Sequence, residues 1–475
     1  MTVGKININE TLAKVDVILR EDKSASPQFR AMMELLVVVI NLLVEKLGLN
    51  SSNSSIPPSK DTKRKRGSKR KAKGKKRKPG GQNGHKGTNL KRETPDRIEK
   101  IHIDRRTLPS GDYKDFGYES RQVIEINITK QVTEYQAQIL QDANGNQFVA
   151  DFPPGVTRPV QYGSTIKSQS VYMSQHQLLP YERVREYFAD QCGIAISAGS
   201  LFNFNKQAYE LLEKFELIAK RQLISQRLLH ADETGINVNG KLLWLHTASN
   251  ERWTLFFPHA KRGLEAMKSM GVLEHFRGVL CHDHWKPYFK FTCLHALCNA
   301  HHLRELERAY EHDNQRWAKK MKKLLLEIRE ATEKSGGRLT KEAAKRFRSR
   351  YRNILTRGDR ECLPPDPKYQ HVKRGRIAKS KSRNLLERLR DYEAETLRFM
   401  TEKIVPFTNN QGENDIRMTK VQQKISGCFR SADGAKYFCR IRSYLSTCSK
   451  NGISPTDALQ MLFSVNLPEF IVYPK

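Results

Sequence analysis

The sequence predicts a multidomain protein centred on an α/β domain, and three observations support this prediction. From Leu228 onward, apolar runs of strand length alternate with turn residues, and a short helical pattern interrupts them. From residue 313 to residue 400 the pattern is helical and basic. Between residues 50 and 96, Ser, Pro, Gly and Lys dominate, and this composition buries too little apolar surface to form a core.

The net charge points to a nucleic-acid partner. The chain has 84 Lys and Arg against 51 Asp and Glu, a formal net charge of +33. The run from Lys60 to Lys78 supplies 12 of these charges and leaves 21 to the rest of the chain. Because the basicity is not confined to one tail, we expect a polyanion such as double-stranded DNA to bind over an extended surface.

The expected location is the cytoplasm, in association with the nucleoid, and no membrane partner is expected. No stretch reaches the roughly 18 uncharged apolar residues of a membrane span, and the N-terminus lacks the apolar core of a secretory signal. The eight cysteines are scattered through apolar segments, which suits a reducing compartment and not a disulfide framework.

Residues 1–49 predict an N-terminal helical segment that can associate with itself. Leu35, Leu42 and Leu49 are spaced by seven residues, the repeat of a coiled coil. We interpret this as a contact in a homodimer or a higher assembly on DNA. A helix buried within its own chain is the alternative.

Residues 50–96 predict a basic flexible linker whose cations contact DNA phosphates without reading the base sequence. A linker that only adds solubility is the alternative. The predicted contacts are Lys63, Arg64, Lys65, Arg66, Lys69, Arg70, Lys71, Lys73, Lys75, Lys76, Arg77 and Lys78.

Two small regions follow the linker. Residues 97–158 alternate in the manner of strands, for example at 123–128 and 136–140, and predict a small β module. Residues 159–225 predict a helical, helix-turn-helix-like region in which Gly193 permits the turn and Ser197 caps the second helix. Both DNA binding and plain helix packing fit this spacing.

Residues 226–312 and 401–430 predict the α/β core. Asn239-Gly240 between two apolar runs predicts a hairpin, so Asp232 lies on the first strand of a three-stranded meander. A helix at 264–270 and a fourth strand at 278–281 follow, with Asp283 directly after that strand, and a fifth strand then leads into a helix. This order is ribonuclease H-like, and such a core has one acid on strand one and another just after strand four.

A third acid is expected on a helix within residues 406–431. Glu413 and Asp415 lie two residues apart, about 200° around a helix, so only one of them can face the strands. Arg417 and Lys420 lie four and seven residues beyond Glu413 and share its face. A carboxylate beside two cations suits a place where metal and phosphate meet. We therefore predict Glu413 as the third acid, with Arg417 and Lys420 as DNA contacts.

Asp232, Asp283 and Glu413 are the predicted catalytic residues and the predicted ligands of two Mg²⁺ ions, for which Mn²⁺ could substitute. In-line attack on a phosphodiester uses two ions about 3.5–4 Å apart, and Mg²⁺ prefers carboxylate oxygens and water. The helical pattern over 313–400 predicts an insertion that contacts DNA or presents a solvated face. Residues 431–475 predict a C-terminal helical segment.

Over nearly its whole length the sequence resembles the bacterial insertion-sequence transposases of type sixty-six, within the DDE superfamily. The shared motifs are PGGQNGHKG at Pro79, PVQYG at Pro159, QLLPYER at Gln177, HADET at His230, CHDHWKPY at Cys281, CNAHHLRELE at Cys298 and NNQGENDIRMTKVQQKISGCFRS at Asn409. The resemblance implies metal-dependent cleavage at the terminal inverted repeats, followed by strand transfer of the freed 3′-hydroxyl into target DNA. It also implies that Asp232 bridges both ions and that small accessory proteins can take part.

The resemblance also bears on zinc. Cys298 and His301 form a C-x-x-H sequence that follows the second acid in several such families and is thought there to shape the core near the active site. The family's zinc module carries two CxxC pairs, but here residues 108–120 and 140–149 contain no cysteine. The spacing of Cys293, Cys298, His301 and His302 is imperfect for zinc, so no zinc is expected.

Two other functions fit the residues. One is a ribonuclease H-like, structure-specific DNA endonuclease or resolvase, which would not need the separate linker, β and helix-turn-helix-like segments. The other is a non-catalytic DNA-binding repressor, against which the three intact acids argue.

Overall fold

The computed structural model describes residues 2–3, 6–21, 26–54, 61, 90–364 and 379–472. The protein is a mixed α/β structure in which helices surround a five-stranded sheet. The predicted linker contacts between Lys63 and Lys78 lie outside the described residues. None of the helices within the described ranges is long and apolar enough to cross a membrane.

The strands are β1 (Thr2–Val3), β2 (Ile6–Asn7), β3 (Ile139–Gln141), β4 (Gln147–Val149), β5 (Leu228–Val238), β6 (Lys241–Ser249), β7 (Thr254–His259), β8 (Val279–His282) and β9 (Leu294–Leu297). The helices are α1 (Ile8–Glu21), α2 (Pro27–Gly48), α3 (Ser164–Val171), α4 (Tyr181–Cys192), α5 (Ala198–Leu211), α6 (Glu213–Ile224), α7 (Leu264–Ser269), α8 (Asn299–His312), α9 (Arg316–Lys334), α10 (Lys341–Glu361), α11 (Lys381–Asp391), α12 (Glu393–Leu397), α13 (Asn410–Ser426), α14 (Ala432–Lys450), α15 (Pro455–Phe463) and α16 (Glu469–Val472).

The large sheet has the strand order β7-β6-β5-β8-β9. β5, β8 and β9 run parallel, and β6 is antiparallel to both β5 and β7. The hairpin predicted at Asn239-Gly240 is confirmed: φ is +47° at Asn239 and +80° at Gly240, and Val238 pairs with Lys241. The predicted sequence of three strands, a helix, a fourth strand, a fifth strand and a helix is also observed.

The helix-turn-helix-like region forms the two helices expected of it. α4 ends at Gly193, whose φ of +61° lies in the left-handed region that glycine adopts without strain. The Ser197 hydroxyl accepts a hydrogen bond from the Ser200 N–H at 3.0 Å and so caps α5. Local turn and capping chemistry therefore sets where both helices end and begin.

The small β module differs from the prediction. β3 and β4 form a hairpin, but the expected strand at 123–128 is wrong, because these residues have no strand conformation. Val123 and Ile126 leave 83% and 88% of their surfaces exposed. Alternation specifies which side chains share a face of a strand. It does not supply the neighbouring strand that must pair with the backbone.

Most of the described residues within the predicted insertion are helical, in α9 to α12. These helices and α8 enclose a hydrophobic core around Trp317 and Tyr351, both fully buried. The Tyr351 hydroxyl donates a hydrogen bond to the Leu389 carbonyl at 2.7 Å. The same core includes Cys281 of β8 and Ala296 of β9, so it is continuous with one face of the sheet.

α14 covers the edge strand β7 with side-chain hydroxyl groups. The Thr254 N–H donates to Thr447 Oγ1 at 3.1 Å, and the Phe256 N–H donates to Ser443 Oγ at 2.8 Å. Two residues of a strand span about 6.7 Å, and four residues of a helix rise about 6 Å. Because these repeats nearly match, consecutive outward N–H groups of the edge strand each find a hydroxyl on the helix.

Replacing Ser443 and Thr447 by Ala and Val is expected to destabilise the protein. Each substitution leaves a buried backbone N–H without an acceptor, at a cost of about 1–3 kcal/mol. Urea denaturation of the full chain measures this loss. Ser449→Ala, at an exposed position of the same helix, is the control and should change stability by less than about 0.5 kcal/mol. Equal stability of the double variant and the control would contradict this account of the sheet edge.

Candidate active site

The parallel register of β5 and β8 brings the first two predicted acids side by side. His230 pairs with Cys281, and continuing this register by two residues sets Asp232 beside Asp283. Adjacent strands lie about 4.8 Å apart. The two carboxylates therefore leave the sheet from neighbouring strands at the same level.

The next strand continues this row. On β8 and β9, His282 pairs with Leu297, and one further step sets Asp283 beside Cys298. The Cys298 N–H donates to the His282 carbonyl at 3.0 Å, which maintains the register past the end of β9. Asp232, Asp283 and Cys298 consequently form a row across the three parallel strands.

Glu413 reaches this row from the first turn of α13. Its Oε1 lies 3.6 Å from Cys298 Sγ and 3.8 Å from His301 Nδ1. The structure thus brings Cys298 and His301 of the C-x-x-H sequence next to Glu413, which lies more than 110 residues further along the chain.

Asp232 experiences the field of the other acids. Burial, and after it the charges of Glu233, Asp283 and Glu413, raise the pKa of Asp232 to about 8. The one group that opposes the shift is the Glu233 N–H, which donates to Asp232 Oδ1 at 2.9 Å. A buried carboxyl in this setting accepts a positive charge, either a proton or a metal ion, more readily than one in water.

The adjacent acids have cationic partners, whereas the three predicted acids do not. Arg262 lies 2.7 Å from Glu233, and Lys450 lies 2.8 Å from Asp415. Within the described part of the chain, no Lys or Arg pairs with Asp232, Asp283 or Glu413, and the one ion-pair partner of Glu413 is His301. Asp415, the other candidate for the third acid, is thus paired with Lys450 of α14.

Asn409, which sequence reasoning did not single out, fixes α13 against β5. Its Nδ2 donates to the Ala231 carbonyl at 2.8 Å, and its Oδ1 lies 2.8 Å from His230 Nδ1. Its backbone N–H donates to Cys298 Sγ at 3.1 Å. This buried side chain therefore joins the elements that carry Asp232, Glu413 and Cys298. Its position directly before a helix was the available signal, but its partners lie too far away in the chain to be inferred.

Arg262 was also missed by sequence reasoning. Its guanidinium stacks between the indoles of Trp244 and Trp285, 4.7 and 4.1 Å from their ring centroids, while it pairs with Glu233. The backbone N–H of Trp285 donates to Asp283 Oδ1 at 2.9 Å. The Trp285 backbone therefore orients the second acid, while Arg262 neutralises the acid beside the first.

The two predicted cations on α13 differ in their surroundings. Lys420 Nζ donates to the Gly235 carbonyl of β5 at 2.7 Å, three residues beyond Asp232. Arg417 is exposed on the same helix. Lys420 therefore contacts the strand that carries Asp232, and Arg417 is exposed to solvent.

Comparison with known families assigns the larger part of this chain. Residues 159–437, more than half of its length, match the Transposase IS66 family. The chain belongs to this family. Residues 2–91 match a family of unknown function (DUF6444), and no curated protein matches.

The family match confirms the resemblance predicted from the motifs. It spans Asp232, Asp283 and Glu413 together with α4, α5 and the helices α9 to α12. Membership of this transposase family supports a transposase role and, with it, DNA as the partner. An enzyme that acts on nucleic acid is also in keeping with the net charge of +33.

In the absence of metal, Asp232→Asn is expected to make the protein more stable near pH 8. The pKa of Asp232 rises from 3.8 to about 8 in the folded protein. Between these values the folded state therefore binds a proton that the unfolded chain lacks, and stability falls as the pH rises. Asn removes this dependence.

Thermal melts in chelator from pH 5 to pH 8 measure the effect. The melting temperature of the Asp232→Asn variant should exceed that of wild type increasingly towards pH 8. Asp415→Asn is the control and should melt below wild type, because it leaves Lys450 buried without its partner. A variant at Asp232 that melts below wild type at pH 8 contradicts the expected electrostatic cost.

Proposed function

We propose that this chain is a DDE transposase that cleaves DNA at transposon ends and transfers the freed strand into target DNA. Asp232, Asp283 and Glu413 are its catalytic acids. The observation on which the proposal rests is the convergence of three carboxylates that have no Lys or Arg partner among the described residues, in a protein of net charge +33. The neighbouring acids Glu233 and Asp415, in contrast, are each paired with a cation.

The strand order supports a ribonuclease H-like core. Three strands form an antiparallel meander, and two further strands extend the first of them in parallel, giving the order β7-β6-β5-β8-β9. Asp232 lies near the middle of β5, the first of these strands in the chain, and Asp283 follows β8. These are the positions of the first two acids in such a core.

Divalent ions fit the three acids. Mg²⁺ and Mn²⁺ prefer carboxylate oxygens. The raised pKa of Asp232 reflects burial first and repulsion from the neighbouring acids second, and a bound cation would offset both. By the resemblance to the family, Asp232 would contact both ions, with Asp283 and Glu413 each on one. Such ions activate the attacking oxygen and stabilise the leaving oxygen of a phosphodiester.

The rest of the site positions these groups. Asn409 keeps α13 at the row of acids through its two hydrogen bonds to β5. The Trp285 N–H orients one oxygen of Asp283 and leaves the other free for a cation. Glu233, whose side chain is 1% exposed, is bound by Arg262 and by the Tyr288 hydroxyl, so it has no free oxygen to offer a metal.

Cleavage of the terminal inverted repeat with Mg²⁺ tests the three acids. Asp232→Asn, Asp283→Asn and Glu413→Gln should each lower the rate by at least about 100-fold, because even outer-shell partners of a metal cost 10- to 100-fold. DNA affinity should change far less.

The matched control replaces Asp415 and Lys450 together by Asn and Gln, which removes the pair without leaving a buried charge behind. This variant should still cleave. Wild-type rates in the three single variants, or equal loss in a folded control, would disprove the assigned site.

The helical insertion is the better supported of the candidate DNA-contacting surfaces that the structure describes. Residues 313–400 contain 26 Lys and Arg against 12 Asp and Glu, whereas residues 181–212, which form α4 and α5, contain three against four. A surface with a surplus of acids binds phosphates weakly. DNA binding by the helix-turn-helix-like pair remains a prediction without this electrostatic support.

α10 is the helix of the insertion that we expect to contact phosphates. It presents exposed cations that have no ion-pair partner among the described residues. They include Lys345, Arg346, Arg357 and Arg360. Arg350 and Arg352 on the same helix are paired with acids of neighbouring helices.

Replacing these four unpaired cations by Gln should lower affinity for all DNA sequences alike. Each lost phosphate contact reduces the slope of log affinity against log salt by about 0.9, which fluorescence anisotropy at several salt concentrations measures. The control variant replaces Arg329, Lys334, Arg350 and Arg352, each paired with a glutamate, and should lose less. A loss confined to the terminal repeat would argue against phosphate contacts.

We also propose that α2 joins two copies of the chain. Val37 on one face of α2 is buried, as is Leu12 of α1. The opposite face of α2 exposes apolar side chains. Their spacing is close to the alternation of three and four residues that a coiled coil shows. These are Met32, Leu35, Leu36, Val39, Leu42 and Leu43.

Leu35→Asp together with Leu42→Asp should convert the full chain to a monomer, because the charges enter the apolar seam. Analytical ultracentrifugation measures the mass. Glu34→Lys with Asn41→Lys, on the opposite side of α2, is the control and should leave the assembly unchanged. If wild type is already a monomer at micromolar concentration, α2 does not join two copies.

A further inference from the structure

One group of side chains in the described part of the chain has the arrangement of a small metal site. Cys298, His301 and Glu413 place one ligand atom each within 4.8 Å of the others. Asp232 and Asp283 do not belong to such a compact group. The sulfur and the imidazole belong to the segment that follows β9, next to the row of acids.

The spacing of these atoms fits a single tetrahedral ion. Ligands to zinc lie about 2.0 Å away for oxygen and nitrogen and about 2.3 Å for sulfur, which puts pairs of ligand atoms roughly 3.3–3.6 Å apart at tetrahedral angles. Glu413 Oε1 lies 3.6 Å from Cys298 Sγ and 3.8 Å from His301 Nδ1. Movements of a few tenths of an ångström would bring these two pairs to ligand spacing, and all three ligand atoms lie within 4.8 Å of one another.

The environment of each ligand supports a bound cation. His301 Nδ1 is completely buried and has no hydrogen-bond partner, so a polar atom with a free lone pair or proton faces the cluster. Cys298 Sγ accepts the Asn409 N–H at 3.1 Å and donates to Glu413 Oε1 at 3.6 Å, so a cation bound here would replace the thiol proton between the sulfur and the carboxylate. A neutral cluster would leave the buried histidine nitrogen uncompensated.

This ligand set differs from the one considered from the sequence. Cys293 packs in a different hydrophobic core from the one that contains Cys281 and Ala296, and His302 pairs with Asn299 Oδ1. The carboxylate of Glu413, 112 residues beyond His301, takes their place. No spacing pattern within the C-x4-C-x2-H segment could reveal it.

We propose that Cys298, His301 and Glu413 bind one divalent ion of the zinc class through thiolate, imidazole and carboxylate, with a fourth position open to water. Sulfur and imidazole ligands favour Zn²⁺ or Co²⁺ over Mg²⁺. The consequence for activity rests on the proposed function. Because Glu413 belongs to both ligand sets, an ion of this class withholds the third acid from Mg²⁺ and inhibits cleavage.

Titration of the metal-free, reduced full chain with Co²⁺ tests the site without any need for activity. Wild type should bind one Co²⁺ per chain with the near-ultraviolet band of a cobalt–thiolate bond. Zn²⁺ should displace the ion, and excess Mg²⁺ should not. Cys298→Ser should abolish the band. Cys293→Ser, a nearby buried cysteine outside the cluster, should keep it.

Two further variants keep the test decisive if Cys298→Ser fails to fold. His301→Ala and Glu413→Gln, at partly exposed positions, should weaken Co²⁺ binding by at least about tenfold, as loss of even an outer-shell partner does. The absence of a thiolate band in wild type overturns the proposal. So does a band that survives in folded Cys298→Ser, or displacement by Mg²⁺ as easily as by Zn²⁺.

The two proposals fail separately. A chain that binds Co²⁺ through Cys298 but never cleaves DNA contradicts the transposase mechanism and leaves the metal site in place. A chain that cleaves with Mg²⁺, lacks the thiolate band and resists one equivalent of Zn²⁺ contradicts the metal site alone.

Discussion

The parallel pairing of β5 with β8 is the constraint on which the candidate site depends. It sets Asp232 level with Asp283, and the pairing of β8 with β9 sets Asp283 level with Cys298. Side chains alternate between the faces of a strand, so a slip of one residue would turn any member of this row to the other side of the sheet. The register is in turn fixed by fully buried side chains such as Leu229 and Leu280, which leave no second setting that fills the core.

The electrostatics of the site follow from this geometry. Neighbouring strands force acids together, and the protein neutralises those that have a structural role. Arg262 compensates Glu233, and Lys450 compensates Asp415 while also donating to the Asn250 carbonyl and to Thr254 Oγ1. Asp232, which has no Lys or Arg partner among the described residues, keeps a raised pKa, so its charged form costs the fold free energy.

Local signals in the sequence predicted much of the architecture. Asn239-Gly240 specified a hairpin through left-handed backbone angles, and Gly193 with Ser197 specified where two helices end and begin. These features depend on residues within one turn of each other. The order of the strands along the chain could be predicted because the connections between them give local signals of the same kind.

Features that depend on distant partners could not be predicted. The contact of Asn409 with His230 joins residues 179 positions apart, and the contact of Arg262 with Glu233 joins residues 29 positions apart. The positions of Glu413 and Asp415 around the helix distinguished the two acids. The lysine that pairs with Asp415 could not be predicted, because it lies on the next helix. The alternation at 123–128 misled for the same reason, because a strand exists only if another segment pairs with it.

The hydroxyl groups of α14 along β7 also limit how the molecule can grow. An uncovered edge strand accepts a further strand from another chain, but here Ser443 and Thr447 already occupy consecutive outward N–H groups. At the opposite edge, Arg398 donates to the His295 carbonyl of β9. Since both borders of the sheet are engaged by side chains, two copies of the chain brought close together are protected from joining edge to edge.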